Sequence, residues 1–174
     1  MALILECRGF TPQISDDCWI AENATIVGDV RMGEGCSVWF SAVIRGDVNT
    51  IEFGKNCNIQ DGAVIHCTYE KSKTIIGDNV SIGHNAIVHG CNVGNNVLIG
   101  MGAIVMDNAE VQDNVLIAAG SVVLANSVLE SNSIYAGVPA KKVKTLSPET
   151  FKGEVERIAK NYGMYASWFS KEEM

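Results

Sequence analysis

The sequence predicts a left-handed parallel β-helix of hexapeptide repeats, followed by a C-terminal helix. Three observations predict this fold. Aliphatic residues recur six positions apart, a small or β-branched residue comes four positions after each of them, and Gly, Asn or Asp often stands between the two. Three hexapeptides close one triangular coil, and successive coils stack as parallel strands about 4.8 Å apart. About twenty repeats predict six to seven coils.

The large aliphatic residue of each repeat is expected to fill the interior of the coil, while the small residue lets the chain turn. A β-sandwich is the alternative, but its period of two cannot hold phase with a period of six and recurrent Gly turns. The interior positions are Ile14, Ile20, Ile26, Met32, Val38, Ile44, Phe53, Ile59, Ile65, Ile76, Ile82, Val88, Val93, Ile99, Val105, Val111, Ile117, Val123, Leu129 and Tyr135.

The repeat is interrupted in three places. Nine residues separate Ile44 from Phe53, eleven separate Ile65 from Ile76, and the step after Val88 is only five residues long. Residues 68–73 in the second interruption are expected to bulge out as a loop. Functional residues concentrate where a regular pattern breaks, so these places are candidates for the site.

The chain is predicted to divide into a β-helix domain, residues 1–140, and a linker with a C-terminal helix, residues 141–174. Ser147 is expected to cap this helix, with Pro148 in its first turn and Glu149 favourable to the helix dipole. An amphipathic helix packed along the coil is indicated by apolar residues at helical spacing: Val155, Ile158, Ala159, Tyr162, Ala166 and Phe169.

The composition favours one domain plus a tail. The chain has 174 residues, is 47% hydrophobic and carries a formal net charge of −7. The negative charge argues against nucleic acid or an anionic membrane surface as partners, and a small-molecule substrate fits better. Without a basic leader or a long apolar segment, a cytoplasmic protein is expected. The six cysteines form no CxxC pair and are expected to be reduced packing residues.

The three histidines lie in or beside the interrupted stretch. His66 and His89 each follow an interior aliphatic residue, and one full coil separates them if the loop is set aside. They should therefore stack about one strand spacing apart, close enough to share a metal ion. The alternative is three unrelated surface histidines. Cys67 beside His66 should point to the opposite side of its strand.

His84 belongs to a different side of the triangle. A side of about five residues spans on the order of 16 Å, which is too far for His84 to join the other two histidines within one chain. If all three bind one metal, His84 must come from a neighbouring subunit. A ring closed in this way on a three-sided prism is most simply a homotrimer.

Six motifs follow one another along the chain: Arg45-Gly46-Asp47, Asn58-Ile59-Gln60-Asp61-Gly62, His66, Ile82-Gly83-His84-Asn85-Ala86, Val88-His89-Gly90 and Gly137-Val138-Pro139-Ala140-Lys141. In this order and spacing they resemble the γ-class carbonic anhydrases and their close relatives. The resemblance covers nearly the whole chain.

The resemblance implies an enzyme that hydrates carbon dioxide reversibly to bicarbonate, using hydroxide on a metal at a trimer interface. It implies zinc as the metal, with iron or cobalt compatible with the same ligands. The implied roles are metal ligation by His66, His84 and His89, polar groups near water and substrate at Gln60 and Asn58, and a charged interface cluster of Arg45, Asp47 and Asp61.

The repeat count places Arg45 one coil below His66, and Gln60 on the side of His84. The alternative interpretation is that Gln60 and Asn58 only form side-chain ladders at a corner of the β-helix, and that the charged cluster only holds the subunit interface together.

The chain departs from the family pattern at the proton-relay positions. Val48 stands where the best-studied branch has a glutamate, and the loop offers only Glu70. Glu70 and Tyr162 are therefore candidate relay or lining groups, with a solvated loop residue and a helix-packing residue as the alternatives. A hexapeptide acyltransferase, a CoA-thioester hydrolase and a catalytically silent scaffold subunit are the competing functions.

Overall fold

The computed structural model describes residues 1–169 and shows a parallel β-solenoid of about seven turns. The predicted hexapeptide-repeat fold is confirmed. The strands are β1 (Leu3–Leu5), β2 (Gln13–Ile14), β3 (Trp19–Ile20), β4 (Thr25–Met32), β5 (Ser37–Val38), β6 (Val43–Phe53), β7 (Asn58–Ile59), β8 (Val64–His66), β9 (Thr74–Ile76), β10 (Ser81–Ile82), β11 (Ile87–His89), β12 (Asn92–Val93), β13 (Leu98–Ile99), β14 (Ile104–Val105), β15 (Glu110–Val111), β16 (Val115–Ile117), β17 (Val122–Val123), β18 (Val128–Leu129), β19 (Ser133–Ala136) and β20 (Lys141–Thr145).

The strands form three sides. The first, which we call the histidine side, stacks β1, the start of β4, the start of β6, β8, β11, β14 and β17. The second stacks β2, the ends of β4 and β6, β9, β12, β15 and β18. The third, the helix side, stacks β3, β5, β7, β10, β13, β16 and β19. Because three hexapeptides make one coil, the place of a hexapeptide in its coil decides which side it forms, and a residue's place in its hexapeptide decides whether it faces the interior.

The core is the column of aliphatic residues inside the coil. Ile59, Ile82, Ile99 and Ile117 pair in register on four successive coils, and each is 0% exposed. Full burial of one such side chain contributes about 1.5–3 kcal/mol. The predicted interior phase is therefore correct along the helix side.

The three interruptions have different structures. The first is no loop, because β6 continues across it as one bent strand whose pairing with β4 shifts register after Gly28. The second is the expected loop between β8 and β9. The third is a tight corner after β11, where Gly90 has a φ of +60°. A left-handed conformation of this kind costs glycine little and other residues more.

The chain leaves the solenoid through a strand and a helix. β20, expected as part of a linker, pairs antiparallel with β19 and lies at one end of the helix side. Ser147 caps the helix as predicted, since its hydroxyl accepts a hydrogen bond from the Thr150 N–H. The helix comprises α1 (Pro148–Thr150), a π-helical segment (Phe151–Glu156) and α2 (Arg157–Ser167).

The helix packs through Val155 against Ile134 of β19 and against Leu146, which follows β20. Phe169, expected on the apolar face of the helix, lies just beyond α2, and its ring centroid is 5.3 Å from that of Trp19. In residues 1–169, none of the helices has the length and apolar character needed to cross a membrane.

Candidate metal centre

His66 and His89 stand side by side on the histidine side, and we call them the histidine pair. They are register partners in β8 and β11, which confirms the stacking predicted from the repeat count. His66 Nδ1 lies 3.2 Å from His89 Nε2. Cys67 is fully buried, on the opposite face of the strand from His66, as predicted.

A carboxylate contacts the outer nitrogen of His66. Asp47 Oδ1 lies 3.0 Å from His66 Nε2, and Asp47 also pairs with Arg45. Burial opposes ionisation of Asp47, but the hydrogen bonds from Arg45 and His66 outweigh it and hold the pKa of Asp47 below its usual value. Asp47 is therefore charged at neutral pH and orients the His66 ring.

A second carboxylate, which is not among the residues predicted from the sequence, contacts His89. Asp107 Oδ2 lies 2.9 Å from His89 Nδ1. Burial would raise the pKa of Asp107, but hydrogen bonds from Ser72, Thr68 and His89 lower it overall. The sequence holds one signal for this contact. Asp107 stands one coil beyond Gly90, the residue after His89, and glycine has no side chain that could come between Asp107 and His89.

His84 lies beyond the end of β10 on the helix side, away from the histidine pair. Its Nδ1 is 2.8 Å from Asp61 Oδ2, and its Nε2 is 3.3 Å from the hydroxyl of Tyr162 on α2. Burial, with Asp61 and Tyr165 nearby, raises the pKa of Tyr162 to about 12. The Tyr162 hydroxyl therefore keeps its proton at neutral pH and can donate a hydrogen bond.

Gln60 and Asn58 are buried beneath the helix. Gln60 Nε2 donates to Asn58 Oδ1 at 3.0 Å, and Asn58 Nδ2 donates to Ser81 Oγ at 2.8 Å. Gln60 lines a cavity of about 370 Å³ together with His84 and Tyr162. The structure therefore brings Gln60, but not the histidine pair, next to His84 in the same chain.

Glu70 lies in the loop between β8 and β9 and is exposed. Among the described residues it makes no hydrogen bond or ion pair with another side chain. The cysteines are free thiols, as expected, and burial raises the pKa of Cys91 to about 12. Such a thiol stays protonated and is a poor metal ligand.

The histidine pair fits part of a zinc site. Two nitrogens bound to tetrahedral zinc at about 2.0–2.1 Å lie about 3.3 Å apart, close to the separation found here. Each of the three histidines also has a carboxylate at one ring nitrogen, an arrangement typical of metal-binding histidines. Within the described part of a single chain, no group of three such ligands is close enough to hold a metal ion.

Comparison with known proteins finds similar sequences over most of the chain. The family "Bacterial transferase hexapeptide (six repeats)" matches residues 11–46 and 90–125. A protein of Geobacillus kaustophilus named "Carbonic anhydrase" is 48% identical over 92% of this chain and 87% of its own length. "Gamma carbonic anhydrase 2, mitochondrial" of Arabidopsis thaliana is 38% identical over 87% of this chain, which spans only 56% of that relative.

The fold has solved relatives. The crystal structure of a hexapeptide transferase family protein from Anaplasma phagocytophilum superposes with a TM-score of 0.91 at 37% identity, covering 96% of this chain and 98% of the other. Both alignments, with the Geobacillus kaustophilus and the Anaplasma phagocytophilum proteins, cover more than 90% of this chain. The chain therefore belongs to the γ-carbonic anhydrase-like family of hexapeptide-repeat proteins.

Proposed function

We propose that this protein is a metal-dependent carbonic anhydrase-like enzyme that interconverts carbon dioxide and bicarbonate between subunits of a homotrimer. The observation that carries the proposal is the histidine pair, whose facing nitrogens have the separation of two zinc ligands. His84 supplies the third ligand from the neighbouring subunit. Zinc is the metal that we expect, and iron or cobalt would suit the same nitrogens.

The outer face of the histidine side supports a second copy of the chain as the partner. The residues in register with Val64 on the seven strands of this side form one column, in which only Thr25 is not aliphatic: Leu3, Thr25, Val43, Val64, Ile87, Ile104 and Val122. Val64 and Ile87 are 38% and 37% exposed, next to the histidine pair. Apolar surface that adjoins an incomplete site is best covered by the subunit that completes it.

The metal, when bound, would act as a Lewis acid that lowers the pKa of water toward about 7. Asp47 and Asp107 hold the rings of the histidine pair so that the two facing nitrogens would be directed to the metal. Asp61 orients His84, whose Nε2 would exchange its contact with the Tyr162 hydroxyl for the metal of the neighbouring subunit. The amide of Gln60, fixed by Asn58, can orient water or carbon dioxide near His84. Arg45 and Asp47 form a charge pair that would set the register between subunits.

A proton has to leave the site in each cycle. We assign this step to the exposed carboxylate of Glu70 on the loop, and a lining role to the hydroxyl of Tyr162 beside His84. Tyr162 keeps its proton at neutral pH and acts as a hydrogen-bond donor, whereas the exposed position of Glu70 allows it to exchange protons with buffer.

A transferase or thioesterase that uses CoA esters is the second candidate. It is favoured by the contact between His84 and Asp61, since a carboxylate-supported histidine at the edge of a cavity is also the arrangement of a general base. That chemistry needs His84 alone, so it gives no role to the histidine pair. Metal content and CoA-ester turnover distinguish the two activities, and a silent scaffold subunit would show neither turnover.

The first expected result is a trimer that binds one metal ion per chain and hydrates carbon dioxide. Light scattering of protein purified without oxygen should give three times the mass of the chain, and elemental analysis should give one zinc or iron per chain. Stopped-flow hydration with a pH indicator checks the activity. A monomer that binds a full equivalent of metal would contradict the shared site.

A further inference from the structure

The carboxylate of Asp107 connects the histidine pair to the loop of residues 68–73. Its Oδ2 lies 2.9 Å from His89 Nδ1. Its Oδ1 accepts hydrogen bonds from Thr68 Oγ1 at 2.8 Å and from Ser72 Oγ at 2.6 Å. A single side chain thus contacts a candidate ligand with one oxygen and both ends of the loop with the other.

The backbone leaves room for this arrangement at Gly90. A Cβ atom added to Gly90 would lie 2.2 Å from Ser72 Oγ and 2.4 Å from Asp107 Oδ1. Gly90 directly follows His89 and occupies the shortened corner of the repeat. The interruption therefore creates the space in which Asp107, Ser72 and His89 meet.

The base of the loop is held together by its own bonds. The Thr68 N–H donates to Ser72 Oγ at 2.9 Å, while the same hydroxyl donates to Asp107. Ser72 is 5% exposed, whereas Tyr69 at the loop tip is 51% exposed. The loop is thus anchored at its base and open at its tip, which also carries Glu70.

We propose that Asp107 is a positioning residue that directs His89 Nε2 toward the metal position and couples metal binding to the anchoring of the loop. The inference rests on the metal site proposed above. A carboxylate only accepts hydrogen bonds, so the contact at Nδ1 keeps the ring proton there and leaves the Nε2 lone pair facing His66. Movement of the Asp107 carboxylate would disturb the ring and the loop together.

The coupling has to act in both directions. If an anchored loop favours the His89 orientation that binds metal, metal binding must favour the anchored loop by the same factor. Zinc should therefore slow hydrogen exchange of the loop amides, although the loop contributes no ligand. This effect distinguishes a positioning role from simple stabilisation of the fold.

Asp107→Asn tests the proposal with almost no change in shape. The amide oxygen can still accept from Thr68 and Ser72, but the amide N–H groups then face His89 Nδ1 and move the ring proton to Nε2. Zinc affinity, measured by competition with a chromophoric chelator, should fall about 10–100-fold. Zinc should also no longer slow exchange in the loop.

Asp113→Asn is the matched control, because Asp113 occupies the equivalent place in the next hexapeptide. Its Oδ1 accepts a hydrogen bond from the Asn95 N–H at 2.7 Å, and among the described residues Asp113 makes no hydrogen bond to a histidine. It should bind zinc like the wild type. A double variant, Thr68→Val with Ser72→Ala, leaves all histidine side-chain contacts in place. It should speed hydrogen exchange of the loop amides and lower zinc affinity by about fivefold or more.

The outcomes separate this inference from the proposed function. Wild-type protein that binds no zinc would overturn both. Wild-type affinity in Asp107→Asn, beside a wild type that binds zinc, would overturn the positioning role alone. Weaker zinc affinity in Asp107→Asn, with the loop amides still protected as in the wild type at saturating zinc, would overturn the coupling. If Asp107→Asn does not fold, the double variant decides, and wild-type affinity there rejects the coupling.

Discussion

Ile99→Asp is expected to lower the free energy of unfolding by more than about 4 kcal/mol, enough to prevent folding of many domains. Ile99 is 0% exposed and stacks between Ile82 and Ile117 on adjacent coils. A carboxylate at this position would lie in the hydrophobic core of the coil, so it must be buried without a partner or displace the coil. Urea denaturation at one fixed protein concentration measures the effect.

Two control variants give the scale. Ile99→Val removes one methyl group from the same place and should cost about 0.5–1.5 kcal/mol. Glu70→Ala changes an exposed loop residue and should stay within about 0.5 kcal/mol of the wild type. Equal denaturation midpoints for Ile99→Asp and Glu70→Ala would mean that the interior phase of the repeat is wrong.

His84→Ala is expected to abolish zinc binding at one ion per chain, together with carbon dioxide hydration. The side chain of His84 is 39% exposed, so its removal leaves no cavity in the core. A catalytic zinc site normally has three protein ligands, and the histidine pair alone provides two. Elemental analysis after gel filtration and a thermal melt of the metal-free protein check the two expectations. Full zinc occupancy in a folded His84→Ala protein would remove His84 from the site.

The periodicity of the sequence was sufficient to predict the fold and the stacking of the histidine pair. A step of one coil fixes the neighbours of a residue along a side, so His66 and His89 could be paired by counting once the loop was set aside. The same counting placed Gln60 on the side of His84. The inward direction of Cys67 followed from strand alternation.

The contacts that periodicity could not predict depend on segments without a repeat. Asp107 reaches His89 in a space bounded by the loop, and the hydroxyls of Thr68 and Ser72 that hold it belong to that irregular loop. The contact of Tyr162 with His84 depends on how the helix lies across the coil. Helical spacing identifies an apolar face but does not set the rotation or height of the helix.

Reassembly of mixed trimers tests most directly whether a metal site is shared by two subunits. His66→Ala and His84→Ala chains are unfolded, combined in equal amounts and refolded. Each mixed ring contains one interface at which an intact histidine pair from the His84→Ala chain meets His84 from the His66→Ala chain. About a quarter of all sites should be restored when random homotrimers are included, by the cyclic geometry alone.

A mixture of His66→Ala with His89→Ala is the matched control, because those two ligands must come from the same chain. We expect the first mixture to regain zinc and carbon dioxide hydration at about a quarter of the wild-type level, and the second to regain neither. Recovery in the second mixture but not in the first would contradict the assignment of His66 and His89 to one subunit and His84 to the next.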